Sequence, residues 1–295
     1  MAGRRALAWA VHLYTASGAV LCAWALFAVF AGNYRRAWLL LCATIFIDST
    51  DGALARLARV GKVLPGFDGR RLDDIVDYLC WVFAPMVLLA QAGILPAWAT
   101  IAPLLASAYG FGQVDAKTED DDHYFVGFPS YWSILGFYFY EFEASPRVAV
   151  PLTVALSALV FVPLRYPYPT KTRALRPVTL GLGVPWALLI VWLAGRLPER
   201  PTGPALLSLY YPAYYWLLTG ALWLRRAQLR PTPAAAGAQA TPARASTQRI
   251  RSVARSGSTS SPARSARTKS SARWTTERAL SSPPTMRKWD WWPLR

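Results

Sequence analysis

The chain is a succession of apolar stretches, and two adjacent ones carry pairs of aspartates at the ends that face each other along the sequence. Eight stretches stand out, about 7–31, 37–56, 72–93, 95–113, 130–143, 148–164, 178–195 and 205–224. A bilayer core of about 30 Å needs about 20 helical residues to cross it. The pattern therefore predicts an all-α fold, a polytopic integral membrane bundle of about eight transmembrane helices. Hydrophobic residues make up 54% of the chain and charged ones 16%, against about 25% charged in soluble domains, which argues against an ordinary soluble fold. The basic residues Arg4 and Arg5 before the first stretch imitate a signal peptide, but its apolar run of about 25 residues exceeds the 7–15 of such signals and reads as a retained helix. Pro151, Pro185 and Pro212 fall in or near spans, which membrane helices tolerate when neighbours satisfy the freed carbonyls.

The second stretch ends in Asp48-x-x-Asp51-Gly52-x-x-Ala55-Arg56, and Gly69-x-x-x-Asp73-x-x-x-Asp77 opens the third. A carboxylate at the centre of a membrane helix costs about 2.5–3.5 kcal/mol on insertion scales, so four of them need a purpose. Residues three or four apart share a helix face, which pairs Asp48 with Asp51 and Asp73 with Asp77. Two antiparallel helices joined by the intervening loop would gather all four. Hard oxygen ligands in that number suit Mg²⁺ or Mn²⁺, whose charge would offset the mutual repulsion. Asp74, turned about 100° from Asp73, reads as a solvated loop-end charge. Gly52, Ala55 and Gly69 leave little side chain beside the acids and make room for a flat ligand, although small residues also serve close helix packing in membranes. Arg56 extends that surface and suits a phosphate or a carboxylate.

These eight positions resemble the signature of the CDP-alcohol phosphotransferases, integral membrane enzymes that build phospholipids from cytidine-diphosphate-activated substrates. The 12 residues between Arg56 and Gly69 exceed the family's usual spacing. That departure resembles one branch, the bacterial phosphatidylcholine synthases. Four further stretches resemble the same branch: Val11–Gly18, Asp115–Thr118, Gly127–Trp132 and Tyr211–Tyr215. The resemblance covers about residues 6–226.

The resemblance implies transfer of a phosphatidyl group from CDP-diacylglycerol to choline with release of CMP, by metal-assisted displacement at phosphorus. It assigns Asp48, Asp51, Asp73 and Asp77 to a two-metal Mn²⁺ or Mg²⁺ site, with Asp77 also the general base. Gly52 and Ala55 would flank the cytidine, Arg56 would meet phosphate or hold the cluster, and Gly69 would permit close helix approach. It also suggests a homodimer. Choline's trimethylammonium suits aromatic faces helped by a negative charge, and Asp115, Tyr124, Tyr131 and Trp132 are candidates, although aromatic belts at membrane interfaces need no ligand. His12, with no second histidine nearby, reads as a hydrogen-bonded intramembrane residue. Another acceptor (serine, glycerol phosphate or inositol) remains open. So does a cation transporter, against which stand the clustering of the acids on two helix ends and the lack of an evident internal repeat.

Basic residues set the expected orientation. Arg59, Lys62, Arg70 and Arg71 lie in loop 57–71, Arg165, Lys171, Arg173 and Arg176 in loop 165–177, and the opposite loops are poorer in charge. The positive-inside bias puts both termini and the acids on the cytoplasmic side, and the resemblance implies that the membrane is a bacterial inner membrane. A membrane domain over 1–230 then gives way to 231–295, where 12 Lys or Arg face only Glu277 and Asp290 and no hydrophobic periodicity survives. This composition predicts a disordered basic cytoplasmic tail drawn to anionic lipid, with Trp289, Trp291 and Trp292 as interfacial anchors. Nucleic-acid binding is not expected of it, since no folded recognition motif accompanies the charge. Cys22, Cys42 and Cys80 lie in spans without metal spacing and imply no disulfide framework.

Overall fold

Helix α1 (Ala2–Phe30) turns into α2 (Tyr34–Leu57) within three residues because the local chemistry allows a tight reversal. Gly32 takes φ +71°, a region open to glycine without a Cβ clash. Asn33 then caps α2, its Oδ1 accepting the Arg36 N–H at 3.0 Å. The computed structural model describes residues 2–113, 124–167 and 176–229, all within one compact unit. Asp115 and the tail 231–295 lie outside the described residues.

A short helix, α3 (Val60–Val63), leads to α4 (Gly69–Asp77), which Asp68 caps by accepting the Arg70 and Arg71 N–H groups. The rod continues through a π-helical turn (Tyr78–Phe83) into α5 (Ala84–Gln91). A 3₁₀ turn (Ala97–Thr100) enters α6 (Ile101–Gly112), followed by α7 (Trp132–Glu141), α8 (Pro146–Leu159), α9 (Arg176–Arg196), α10 (Thr202–Ser208) and α11 (Tyr210–Leu229). The fold is mostly helical, as the apolar stretches predict. To it is added an antiparallel two-stranded ribbon of β1 (Tyr124–Val126) and β2 (Arg165–Pro167), with Phe125 opposite Tyr166.

Two stretches that read as single helices are interrupted, each time by a proline. In the π turn the Ala84 N–H bonds Leu79 O, five residues back. The next donor in that register, for Cys80 O, would be Pro85, which has no N–H. Ser133 Oγ on α7 donates to Cys80 O instead, at 2.8 Å. Likewise Pro212 cannot serve Ser208 O, and the rod breaks between α10 and α11. Tyr138 Oη, also on α7, donates to that carbonyl at 3.0 Å.

The core is apolar and tight, with Trp38, Leu41, Met86, Leu88, Leu89, Trp132 and Leu193 fully buried. The outside is apolar too: Leu13, Phe27, Leu188 and Leu217 are 66–74% exposed. Soluble proteins rarely leave such surface uncovered, and α1, α2 and α9 are long and apolar enough to cross a membrane. The chain is a membrane protein.

Ser133→Ala should destabilise the fold by about 1–3 kcal/mol, the cost of leaving a buried carbonyl unpaired. Thermal unfolding in detergent measures it, with Ser133→Thr, which keeps the hydroxyl, as the control. An unchanged melting temperature for Ser133→Ala would show that another donor serves Cys80.

Candidate metal centre

Asp48 directly follows the apolar run of α2 that ends at Ile47, and Asp73 and Asp77 share a face of α4. The structure brings these three together. One carboxylate oxygen from each lies within 4.8 Å of the others, in half-buried surroundings. Oxygen donors so close repel one another, and a divalent cation of the Mg²⁺ or Mn²⁺ type is the partner their hardness suits.

Asp51 stands apart from that group. It is only 6% exposed, and its Oδ2 accepts a hydrogen bond from Thr15 Oγ1 at 2.8 Å. One residue away on each helix, the Tyr14 and Thr50 hydroxyls bond at 2.8 Å. Both bonds stitch α1 to α2 beside the acids. The Asp48 carboxylate has its own donor, Trp81 Nε1, 3.3 Å from Oδ2. Trp81 belongs to the π turn.

The small residues divide into different roles. The terminal nitrogen Nη1 of Arg56 lies 3.4 Å from where a Gly52 Cβ would be, so the exposed guanidinium folds back over Gly52. Ala55 packs against Ala8, Val11, Val60 and Leu64. A Cβ on Gly69 would meet His12 Cε1 at 2.7 Å, so in this structure the space beside Gly69 belongs to an imidazole. His12 is buried, and its Nε2 has no hydrogen-bond partner among the described residues.

Of the aromatic candidates, Tyr131 is linked to the acids through Trp81. Its ring is 5.6 Å from Trp81, which bonds Asp48, 5.8 Å from Tyr215 and 6.4 Å from Phe125. Trp132 points elsewhere: it is fully buried against Phe128, with Nε1 donating to Ser107 Oγ at 2.8 Å. Tyr124 is buried on β1. Thr15, Trp81 and Tyr215 were not singled out from sequence. Thr15 and Tyr215 lay inside quoted stretches without a role, and Trp81 follows Asp77 by four residues, the same-face spacing already used for the acids.

No family model matches the chain. It is similar to the phosphatidylcholine synthase of Legionella pneumophila, with 40% identity over 223 residues, 72% of this chain and 87% of the relative. The phosphatidylcholine synthase of Pseudomonas aeruginosa is 33% identical over 228 residues, 74% of this chain and 92% of the relative. That of Borreliella burgdorferi is 33% identical over 192 residues, 63% and 80% of the two chains.

Thr15→Val keeps the side-chain shape but leaves a buried carboxylate without its donor, which should cost about 1–3 kcal/mol or more, since the group is charged. Unfolding in detergent is the measurement, and Thr15→Ser should remain near wild type. Equal stability of Thr15→Val and wild type would show that Asp51 is held by other groups.

Proposed function

This chain belongs to the phosphatidylcholine synthase family, and from that premise we propose how its acids perform the reaction. It is a transferase that makes phosphatidylcholine, with CDP-diacylglycerol as phosphatidyl donor and choline as acceptor. The observation that carries the mechanism is the gathering of Asp48, Asp73 and Asp77 oxygens within 4.8 Å. These residues would hold Mn²⁺ or Mg²⁺. Asp51 would join them, since the Thr15 bond uses one of the roughly four lone-pair sites of a carboxylate. Held by these carboxylates, two divalent ions would supply charge to neutralise the diphosphate and to stabilise the leaving oxygen.

Asp77 takes the proton from the choline hydroxyl as general base. The freed oxygen bonds to the phosphorus that bears diacylglycerol, the bond from that phosphorus to the CMP oxygen breaks, and CMP departs with the electron pair. Arg56, folded over Gly52, is placed to meet phosphate, and the cytidine would lie beside Gly52 once that exposed guanidinium swings to the phosphate. Ala55 lines the same end of α2. The diacylglycerol chains would follow an apolar groove between α2, α7 and α9, lined by Leu41, Cys42, Ile45, Ile134, Phe137 and Ile190. Ile45 lies one turn from Asp48, so the groove starts near the acids.

The acceptor pocket is read from the aromatic group around Tyr131. A trimethylammonium cannot donate conventional hydrogen bonds and suits the faces of Tyr131, Trp81 and Tyr215, with carboxylate charge nearby. Asp115, the other candidate for that charge, lies outside the described residues. Beyond α1, α2 and α9, the rods made by α4 with α5, by α6, α7 and α8, and by α10 with α11 would also cross the membrane, about eight crossings in all. The basic loops favour a cytoplasmic site in a bacterial inner membrane, and a homodimer is part of the same reading.

Activity should require divalent metal and fall by orders of magnitude in Asp48→Ala, Asp73→Ala and Asp77→Ala while the protein still inserts. CMP release from CDP-diacylglycerol with choline, with and without EDTA, measures it. Full turnover in EDTA, or near-wild-type rates in two of these variants, would sink the mechanism.

The acceptor reading is tested separately. Losing a cation–π contact of about 1–2 kcal/mol corresponds to roughly five- to thirtyfold. Tyr131→Ala and Tyr215→Ala should raise KM for choline by about that factor and leave KM for CDP-diacylglycerol nearly unchanged. Ethanolamine should be a poor acceptor for wild type. Equal rise of both KM values would place these rings outside the acceptor pocket.

A further inference from the structure

The face of α1 that carries Thr15 also carries His12, one turn nearer the start of the helix. His12 is 6% exposed, and its ring occupies the space that a Gly69 side chain would need: a Cβ there would lie 2.7 Å from Cε1 and 3.3 Å from Nδ1. Farther along the same two helices the contact is reversed, for a Cβ on Gly18 would lie 2.8 Å from Val76 Cγ1. Helices α1 and α4 therefore run side by side in the same direction and interlock twice, His12 into Gly69 and Val76 into Gly18. Between these two contacts lie Thr15, which holds Asp51, and Asp73. The imidazole is itself fixed from behind, with Phe67 at 4.4 Å and Trp9 at 5.8 Å between ring centroids.

We propose that His12 is a positioning residue: its ring against Gly69 sets the separation of α1 and α4, and through it the distance of Asp73 from Asp48 and Asp51. Size explains the residue type. A six-membered ring would overfill the gap at Gly69, and the smaller imidazole fits it even though its Nε2 stays without a partner among the described residues. The inference rests on the metal-cluster reading above, because the separation matters only if the carboxylates must share metal ions.

The test is a coupled pair of substitutions, Gly69→Ala and His12→Ala, read by turnover and by the Mn²⁺ concentration that half-maximally protects the detergent-solubilised protein from thermal unfolding. Gly69→Ala should lower kcat about ten- to hundredfold, as misplacement by a fraction of an ångström to one ångström does, and raise the half-protecting Mn²⁺ concentration. His12→Phe, which overfills the same gap from the other side, should do likewise. The double variant His12→Ala with Gly69→Ala should recover much of both losses, a non-additivity expected only of groups in contact. If Gly69→Ala fails to accumulate in the membrane, His12→Phe decides: a raised half-protecting Mn²⁺ concentration supports the inference, and an unchanged one overturns it. Additive losses overturn the inference. So does a Gly69→Ala protein whose melting temperature falls while its Mn²⁺ response is unchanged, since that is packing alone. A wild-type protein indifferent to Mn²⁺ overturns the metal reading and this inference with it, whereas a Mn²⁺-dependent wild type with additive variants overturns this inference only.

Discussion

Three carboxylates held within 4.8 Å of one another among apolar helices are the constraint around which the first third of the chain is built. Two unit charges 4 Å apart repel by about 4 kcal/mol at an effective dielectric of about 20, so their helices must be clamped by contacts that do not depend on those charges. Helix α1 supplies the clamp. It hydrogen-bonds α2 through Thr15 and Tyr14 and meshes with α4 at two glycines. The acids themselves lie on α2 and α4, and α1 determines how far apart those helices stand.

A second division of labour runs through α7. Two prolines each deprive a carbonyl of its helical donor, Pro85 at Cys80 and Pro212 at Ser208, and both carbonyls are served by hydroxyls of α7, Ser133 and Tyr138. In lipid an orphaned carbonyl has no water to turn to. One helix thus supports irregularities in two separate rods, and Tyr131, just before its first turn, reaches the aromatic group beside the acids.

The parts legible in the sequence were those that depend on period and length. Apolar stretches at about 7–31, 37–56 and 178–195 correspond to α1, α2 and α9 within a few residues, and i,i+4 spacing correctly puts Asp73 and Asp77 on one face. The same spacing rule groups Asp48 with Asp51 equally well, yet the structure turns Asp51 to Thr15 and leaves Asp48 with Asp73 and Asp77. Period fixes which residues of one helix share a face but says nothing of which neighbour that face meets. Thr15 and Trp81 escaped for that reason, and His12 is read from sequence without its place against Gly69: each matters through a helix remote in sequence. The stretch 72–93 reads as one helix because the effect of Pro85 on its turn shows only once the partner of the carbonyl it leaves without a donor is known.

The π turn at Tyr78–Phe83 has a consequence for the faces this rod presents. One extra residue in a turn is a phase shift of about 100°, so the acidic end of residues 69–91 and its apolar end are read on different angular settings, and a single helical wheel through both would blur them. The shift lets one rod present two faces. Asp73 and Asp77 meet Asp48 on one setting, and the residues after Ala84 turn into the core on another, an arrangement that one regular helix through both ends would not give.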